Sequence, residues 1–122
     1  MTTENFKYIP SGKLDTSDKL YNNLKKIKHI ALDLDGTIYR GDSIFSFTIP
    51  FLEKLKEMGI SYSFITNNSS KSTDDCLRHL DRMEIKVSKD DVYTTIQETK
   101  KYLKKNLPHA KRLFLLATPS VI

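Results

Sequence analysis

Apolar positions along this chain fall into two kinds of run. Residues 29–34, HIALDL, are apolar at nearly every position, as in a strand covered on both faces. SYSFIT at 61–66 and RLFLLA at 112–117 read as two further strands. Elsewhere apolar residues return at helical spacing. A short helix from Ser17 carries Leu20, Leu24 and Ile27 on one face. A second spans Thr48 to Met58, with Thr48 as its cap, Pro50 in the first turn, Leu52 and Leu55 inward, and Gly59 as the stop. A third, Ser72 to Glu84, buries Cys76 or Leu77, then Leu80 and Met83. The fourth, from about Thr95 to Asn106, opens on a capping box of Thr95 with Glu98 and ends before Pro108.

Strands that alternate with helices predict a parallel sheet with right-handed crossovers. The fold class is therefore α/β: a Rossmann-like three-layer sheet with helices on both faces, incomplete, with three strands present. Residues 1–27 form a leader and a short helix, irregular up to residue 15 where Pro10, Ser11 and Gly12 act as breakers. Residues 28–122 form the core. Residues 35–46 hold two glycines and little periodicity, and read as a loop. The first strand has no neighbour on one side, and a bare apolar edge is something folded proteins avoid. The expectation is half of a core, with its second half elsewhere.

Composition narrows the classes. With 39% hydrophobic and 29% charged residues, the chain is globular rather than disordered. No apolar run approaches the ~20 residues of a membrane span, and the N-terminus lacks a signal-peptide pattern, so the expected location is cytoplasmic, with no membrane partner. The single Cys76 excludes an internal disulfide and falls on the apolar side of the third helix. The net charge of +5 is concentrated in KKYLKKNLPHAKR, residues 100–112, where lysines alternate with Tyr102, Leu103 and Leu107 as on the wet side of an amphipathic helix. That is a solvated face rather than a nucleic-acid patch. Whether the chain forms a homo-oligomer stays open.

The chemistry lies at the strand ends. Asp33 and Asp35 close the first strand, followed by Gly36 and Thr37; Thr66, Asn67 and Asn68 close the second. In parallel sheets ligands sit beyond the carboxyl ends of the strands, so neighbouring strands would bring these polar residues to one rim. Two close carboxylates repel, and a hard divalent cation such as Mg²⁺ would hold them together. The plain alternative is a turn capped by two aspartates, with Gly36 supplying an unusual backbone angle. Spacing alone leaves the two readings level.

DLDGT at 33–37 resembles the first motif of the haloacid dehalogenase-like hydrolases, DxDGT, and IYRGD at 38–42 is similar to its continuation in one branch. That branch holds phosphatases acting on p-nitrophenyl phosphate, sugar phosphates, nucleotides and pyridoxal phosphate. ITNNSSKS at 65–72 resembles the branch's second motif. The resemblance covers residues 28 to about 118. It implies Asp33 as the nucleophile forming an aspartyl-phosphate, and Asp35 as general acid and then base. Mg²⁺ would lie on the Asp33 carboxylate and the backbone carbonyl of Asp35. Thr66 would hydrogen-bond the phosphoryl group, helped by backbone N–H groups near Asn67 and Asn68 and by the loop at Gly36. Residues 36–46 would form a hairpin-like flap, with Thr37 structural. The substrate would be a small phosphorylated metabolite.

Three parts of the family pattern have no counterpart here: a lysine that orients the nucleophile, an acidic cluster of the GDxxxTD type, and the cap that selects substrate. Ala117 stands where relatives commonly carry glycine. Asp74-Asp75 and Asp90-Asp91 precede helices and read as helix-start charge. The expectation is a Mg²⁺-dependent phosphatase of which this segment alone is nearly inactive. The alternatives are a non-catalytic interaction module or a truncated remnant. A receiver domain is disfavoured, since LFLLATPS at the third strand carries no acceptor aspartate.

Overall fold

Three parallel strands form the sheet in the order β1-β4-β5. In the computed structural model, residues 19–122 are described; the leader, and the start of the first helix at Ser17, lie outside them. The elements are α1 (Lys19–Leu24), β1 (His29–Asp33), β2 (Tyr39–Arg40), β3 (Ser43–Ile44), α2 (Thr48–Glu57), β4 (Ser61–Thr66), α3 (Thr73–Arg82), β5 (Val92–Thr94) and α4 (Thr95–Asn106). β1 pairs with β4 from His29↔Ser61 to Asp33↔Ile65, and β4 pairs with β5 from Phe64↔Val92 to Thr66↔Thr94.

That register sorts the side chains. Leu32, Phe64 and Val92 share one face, packed with Leu52 and Leu55 of α2 and Cys76 and Leu80 of α3. Asp33, Ile65 and Tyr93 share the other face and are exposed. At the amino end of that open face, the ring of His29 bridges Ser61 Oγ at 2.8 Å and Ser63 Oγ at 2.9 Å. None of the described helices is long and apolar enough to cross a membrane.

Two expectations about the strands change. The third strand is Val92–Thr94, preceded by a 3-10 turn at Lys89–Asp91, and not 112–117. Residues 112–117 run outside the sheet with Phe114 and Leu116 almost fully exposed, 97% and 94%. An apolar run says that a segment favours cover; it does not say which strand edge supplies it. Beyond this run, Thr118 and Ser120 are tied to residues 70–72: Thr118 Oγ1 donates to Ser70 O at 2.6 Å, and Ser72 N–H donates to Ser120 Oγ at 3.3 Å.

Helix ends differ in detail. α2 begins after Phe47, and Thr48 does not cap it, because its hydroxyl donates elsewhere, to Ile38 O. The box opening α4 is Thr94 with Gln97, one residue before the expected pair, since Thr94 is held extended by its pairing in β5. α3 stops at Arg82 rather than Glu84. Glu84 turns left-handed at φ 63°, and Ile85 N–H returns to Leu80 O at 3.0 Å, burying Ile85. Leu24 of α1 is exposed.

Candidate active site

β1 delivers its carboxylates to the rim because of strand alternation. Leu34 is fully buried between Asp33 and Asp35, and both aspartates are exposed on either side of it. The chain then turns sharply. Gly36 has φ +85°, a left-handed angle that side chains resist, and its N–H donates to Tyr39 O at 2.8 Å. Ile38 N–H donates back to Leu34 O at 2.9 Å, so Ile38 and Tyr39 are drawn into the core. The Gly36 N–H is thus spent inside the loop.

Beyond the turn, residues 39–44 form the expected hairpin, with Tyr39 paired to Ile44 and Arg40 to Ser43. Gly41 takes φ +58° at its tip, the positive angle that a two-residue hairpin turn requires. The base of the hairpin is tied to α2 by Thr48. Burial, reinforced by negative charge at Asp35, Cys76 and Asp33, pushes the Tyr39 phenol well above its ordinary range, so it stays neutral.

The second strand brings its polar end to the same rim. Ile65 is the partner of Asp33, and Thr66 follows it. By alternation Thr66 leans toward the core side, buried beside Thr94, whereas Asp33 leans toward the open face. Thr66 Oγ1 accepts from Asn68 N–H at 3.1 Å, a bond that does not use the hydroxyl proton. The Asn68 N–H is committed to that bond, and Asn68 Oδ1 accepts from Ser70 N–H at 3.0 Å and Ser70 Oγ at 2.7 Å. Asn67 is exposed at the rim. The knot after β4 is therefore internally bonded, which holds Thr66 in place.

Two of the other acidic residues serve helix starts. Asp75 and Ser72 form the capping box of α3, and Asp91 and Ser88 do the same for the 3-10 turn. Asp74 pairs with Lys89 at 3.0 Å. Hydrogen bonds from Ser120 and Ser72 hold Asp75 well below the usual carboxylate range, with Arg78 also paired to it. Cys76 is buried and its thiol is pushed up by burial, which makes it unreactive.

For a divalent cation the donor chemistry is suitable: carboxylate and carbonyl oxygens at an exposed strand end are the ligands Mg²⁺ takes, with water completing its shell. The number is small. Among the described residues no group of three or more His, Cys, Asp or Glu side chains converges. Sequence reasoning missed three supports of this site: His79, Tyr39 and the Thr48 hydroxyl. The one available signal was that His79 lies on the Cys76–Leu80 side of α3.

A family model for haloacid dehalogenase-like hydrolases matches residues 30–122. The chain belongs to that family. It is 32% identical over 80 residues to the 5'-nucleotidase YutF of Bacillus subtilis, covering 66% of this chain and 31% of that protein. It is 31% identical over 87 residues to the acid sugar phosphatase of Staphylococcus aureus (strain USA300), covering 71% and 34%. Among solved structures, 4-nitrophenylphosphatase of Thermotoga maritima superposes with a TM-score of 0.73 at 40% identity, over 80% of this chain and 37% of that one. A glycerol phosphate phosphatase of Mycobacterium tuberculosis, in complex with magnesium, has a TM-score of 0.69 at 25% identity, over 80% and 29%. The chain thus spans about a third of the length of the curated relatives it matches. The Rossmann-like parallel sheet is shared with these enzymes.

Proposed function

We propose that the protein is a Mg²⁺-dependent phosphatase that cleaves small phosphomonoesters of the sugar phosphate or nucleotide type. The observation that carries this reading is the placement of Asp33 and Asp35 on either side of a buried Leu34, at a strand end whose neighbour ends on Thr66. A pair of exposed carboxylates with a rigid turn behind them suits a two-step displacement.

An oxygen of the Asp33 carboxylate attacks phosphorus as the ester oxygen departs, and Asp35 donates the proton that leaves with it. A water then attacks the aspartyl-phosphate, Asp35 takes its proton, and phosphate departs with Asp33 restored. Splitting one difficult hydrolysis into two displacements is what a carboxylate nucleophile contributes, and one carboxyl can carry the proton both ways. The Thr66 hydroxyl retains a proton to donate to a phosphoryl oxygen, with the knot around Asn67 and Asn68 and the turn at Gly36 shaping the rim. Mg²⁺ would be held by the Asp33 carboxylate and the Asp35 carbonyl, and when bound it offsets negative charge on the transferring group.

The names of the relatives support the substrate class: a 5'-nucleotidase and an acid sugar phosphatase. Charge stabilisation dominates phosphoryl transfer, and among the described residues no group of three or more acidic, His or Cys side chains converges, so the 122-residue chain alone is nearly inactive and the activity is that of the whole protein. The test is hydrolysis of p-nitrophenyl phosphate by the whole protein with Mg²⁺. Asp33→Asn lowers kcat by on the order of 10³ or more, the scale of losing a nucleophile. Unchanged turnover in that variant overturns the reading and favours a non-catalytic module.

A further inference from the structure

Among the described residues, His79 is a buried side chain with two polar ring nitrogens that the proposed chemistry does not use. It projects from α3, 4% exposed, and meets the hairpin that follows Asp35. Its Nε2 lies 2.9 Å from the carbonyl oxygen of Gly41 at the hairpin tip. Its Nδ1 lies 2.9 Å from Arg82 Nη2, one turn along the same helix. A carbonyl only accepts and a guanidinium only donates. The ring must then carry its proton on Nε2 and accept at Nδ1, the neutral form; the exposed Asp42 carboxylate stands 3.7 Å from Nδ1. The ring also meets Tyr39 edge-on, with centroids 4.7 Å apart.

These contacts lead to the nucleophile loop. Tyr39 bridges to Asp35, and its carbonyl accepts the Gly36 N–H at 2.8 Å. We propose that His79 is a positioning residue: by donating to Gly41 O and packing on Tyr39 it clamps the hairpin 39–44 against α3, and so holds Asp35 and Gly36 in their turn. Its effect on catalysis rests on the phosphatase reading; its effect on the loop does not. A histidine that only fills space would be replaced by any apolar residue of similar size. A clamp requires a donor at the Nε2 position, and a glutamine amide reaches that position whereas leucine has none.

The experiment is amide exchange in the whole protein and in its His79→Leu and His79→Gln variants. Gly36 reads the loop, and Cys76, whose N–H bonds Ser72 O within α3, reads the helix. In His79→Leu, Gly36 is expected to exchange about tenfold faster, the scale of one net hydrogen bond, with Cys76 unchanged and with His79→Gln restoring protection. If Gly36 is unmoved in the leucine variant, or if Gly36 and Cys76 accelerate together in both variants, the clamp is wrong. Should the leucine variant fail to fold, nitrogen NMR of the native imidazole decides: a proton on Nδ1 overturns the proposal and one on Nε2 supports it. With p-nitrophenyl phosphate, kcat falls in His79→Leu at unchanged KM, and glutamine restores it. Should no form hydrolyse the ester, the phosphatase reading fails and the exchange result still decides the clamp.

Discussion

Thr48 Oγ1 donates a fully buried hydrogen bond of 2.8 Å to the carbonyl of Ile38, joining the first turn of α2 to the base of the hairpin that follows the two aspartates. The same carbonyl also accepts Phe45 N–H at the longer distance of 3.3 Å. Replacing the hydroxyl by a methyl keeps the volume and removes the stronger of the two bonds. Thr48→Val is expected to lower stability by about 1–2 kcal/mol, the range for a buried acceptor left weakly paired. Denaturant unfolding of the whole protein measures it; a variant as stable as the parent shows that Phe45 alone satisfies Ile38.

The turn at Gly36 yields a second prediction, of a different kind. A Cβ at this position meets no atom within 4 Å, so space is available; the obstacle is φ +85°. Gly36→Ala is therefore expected to cost about 1 kcal/mol through the backbone alone, with part of the strain relieved by moving Asp35. Activity then falls by more than stability suggests. Equal activity in the alanine variant indicates that the loop relaxes without displacing the carboxyl.

Tyr39 predicts a pH effect. Its phenol is raised in the folded protein by burial and then by the negative charge around it. A raised group holds its proton more tightly when folded, so its contribution is complete below the ordinary tyrosine value of about 10 and is lost as pH rises above it. Unfolding midpoints are expected to drop above about pH 10, and Tyr39→Phe is expected to flatten that drop. Six tyrosines are present, so the comparison of variant with parent isolates this one. An identical alkaline profile in both excludes Tyr39 as the cause.

Much of the framework was legible because its causes are local. The apolar run before Asp33, the helical spacing of Leu52 with Leu55 and of Cys76 with Leu80, and the stop at Gly59 all act within a few residues, so β1, β4, α2 and α3 appear close to their expected bounds. The pair of aspartates at a strand end was legible for the same reason, and strand alternation alone puts them on either side of Leu34. Parallel pairing of β1 with β4 followed from the intervening helix. The motif at 33–37, together with that at 65–72, pointed to the family.

Tertiary structure decided what depends on distant partners. Val92–Thr94 becomes the third strand although only three residues long, because Phe64, Ile65 and Thr66 provide its edge. RLFLLA has the stronger apolar pattern and pairs with no strand among the described residues. The sequence pointed to Thr95 with Glu98 as the box opening α4, and the ladder holding Thr94 extended put it one residue earlier, at Thr94 with Gln97. His79 reaches Gly41 across 38 residues of sequence. Composition and periodicity carry information about a segment's own conformation and its demand for burial. Which surface meets that demand, and which carbonyl a side chain finds, is settled only when the chain closes on itself.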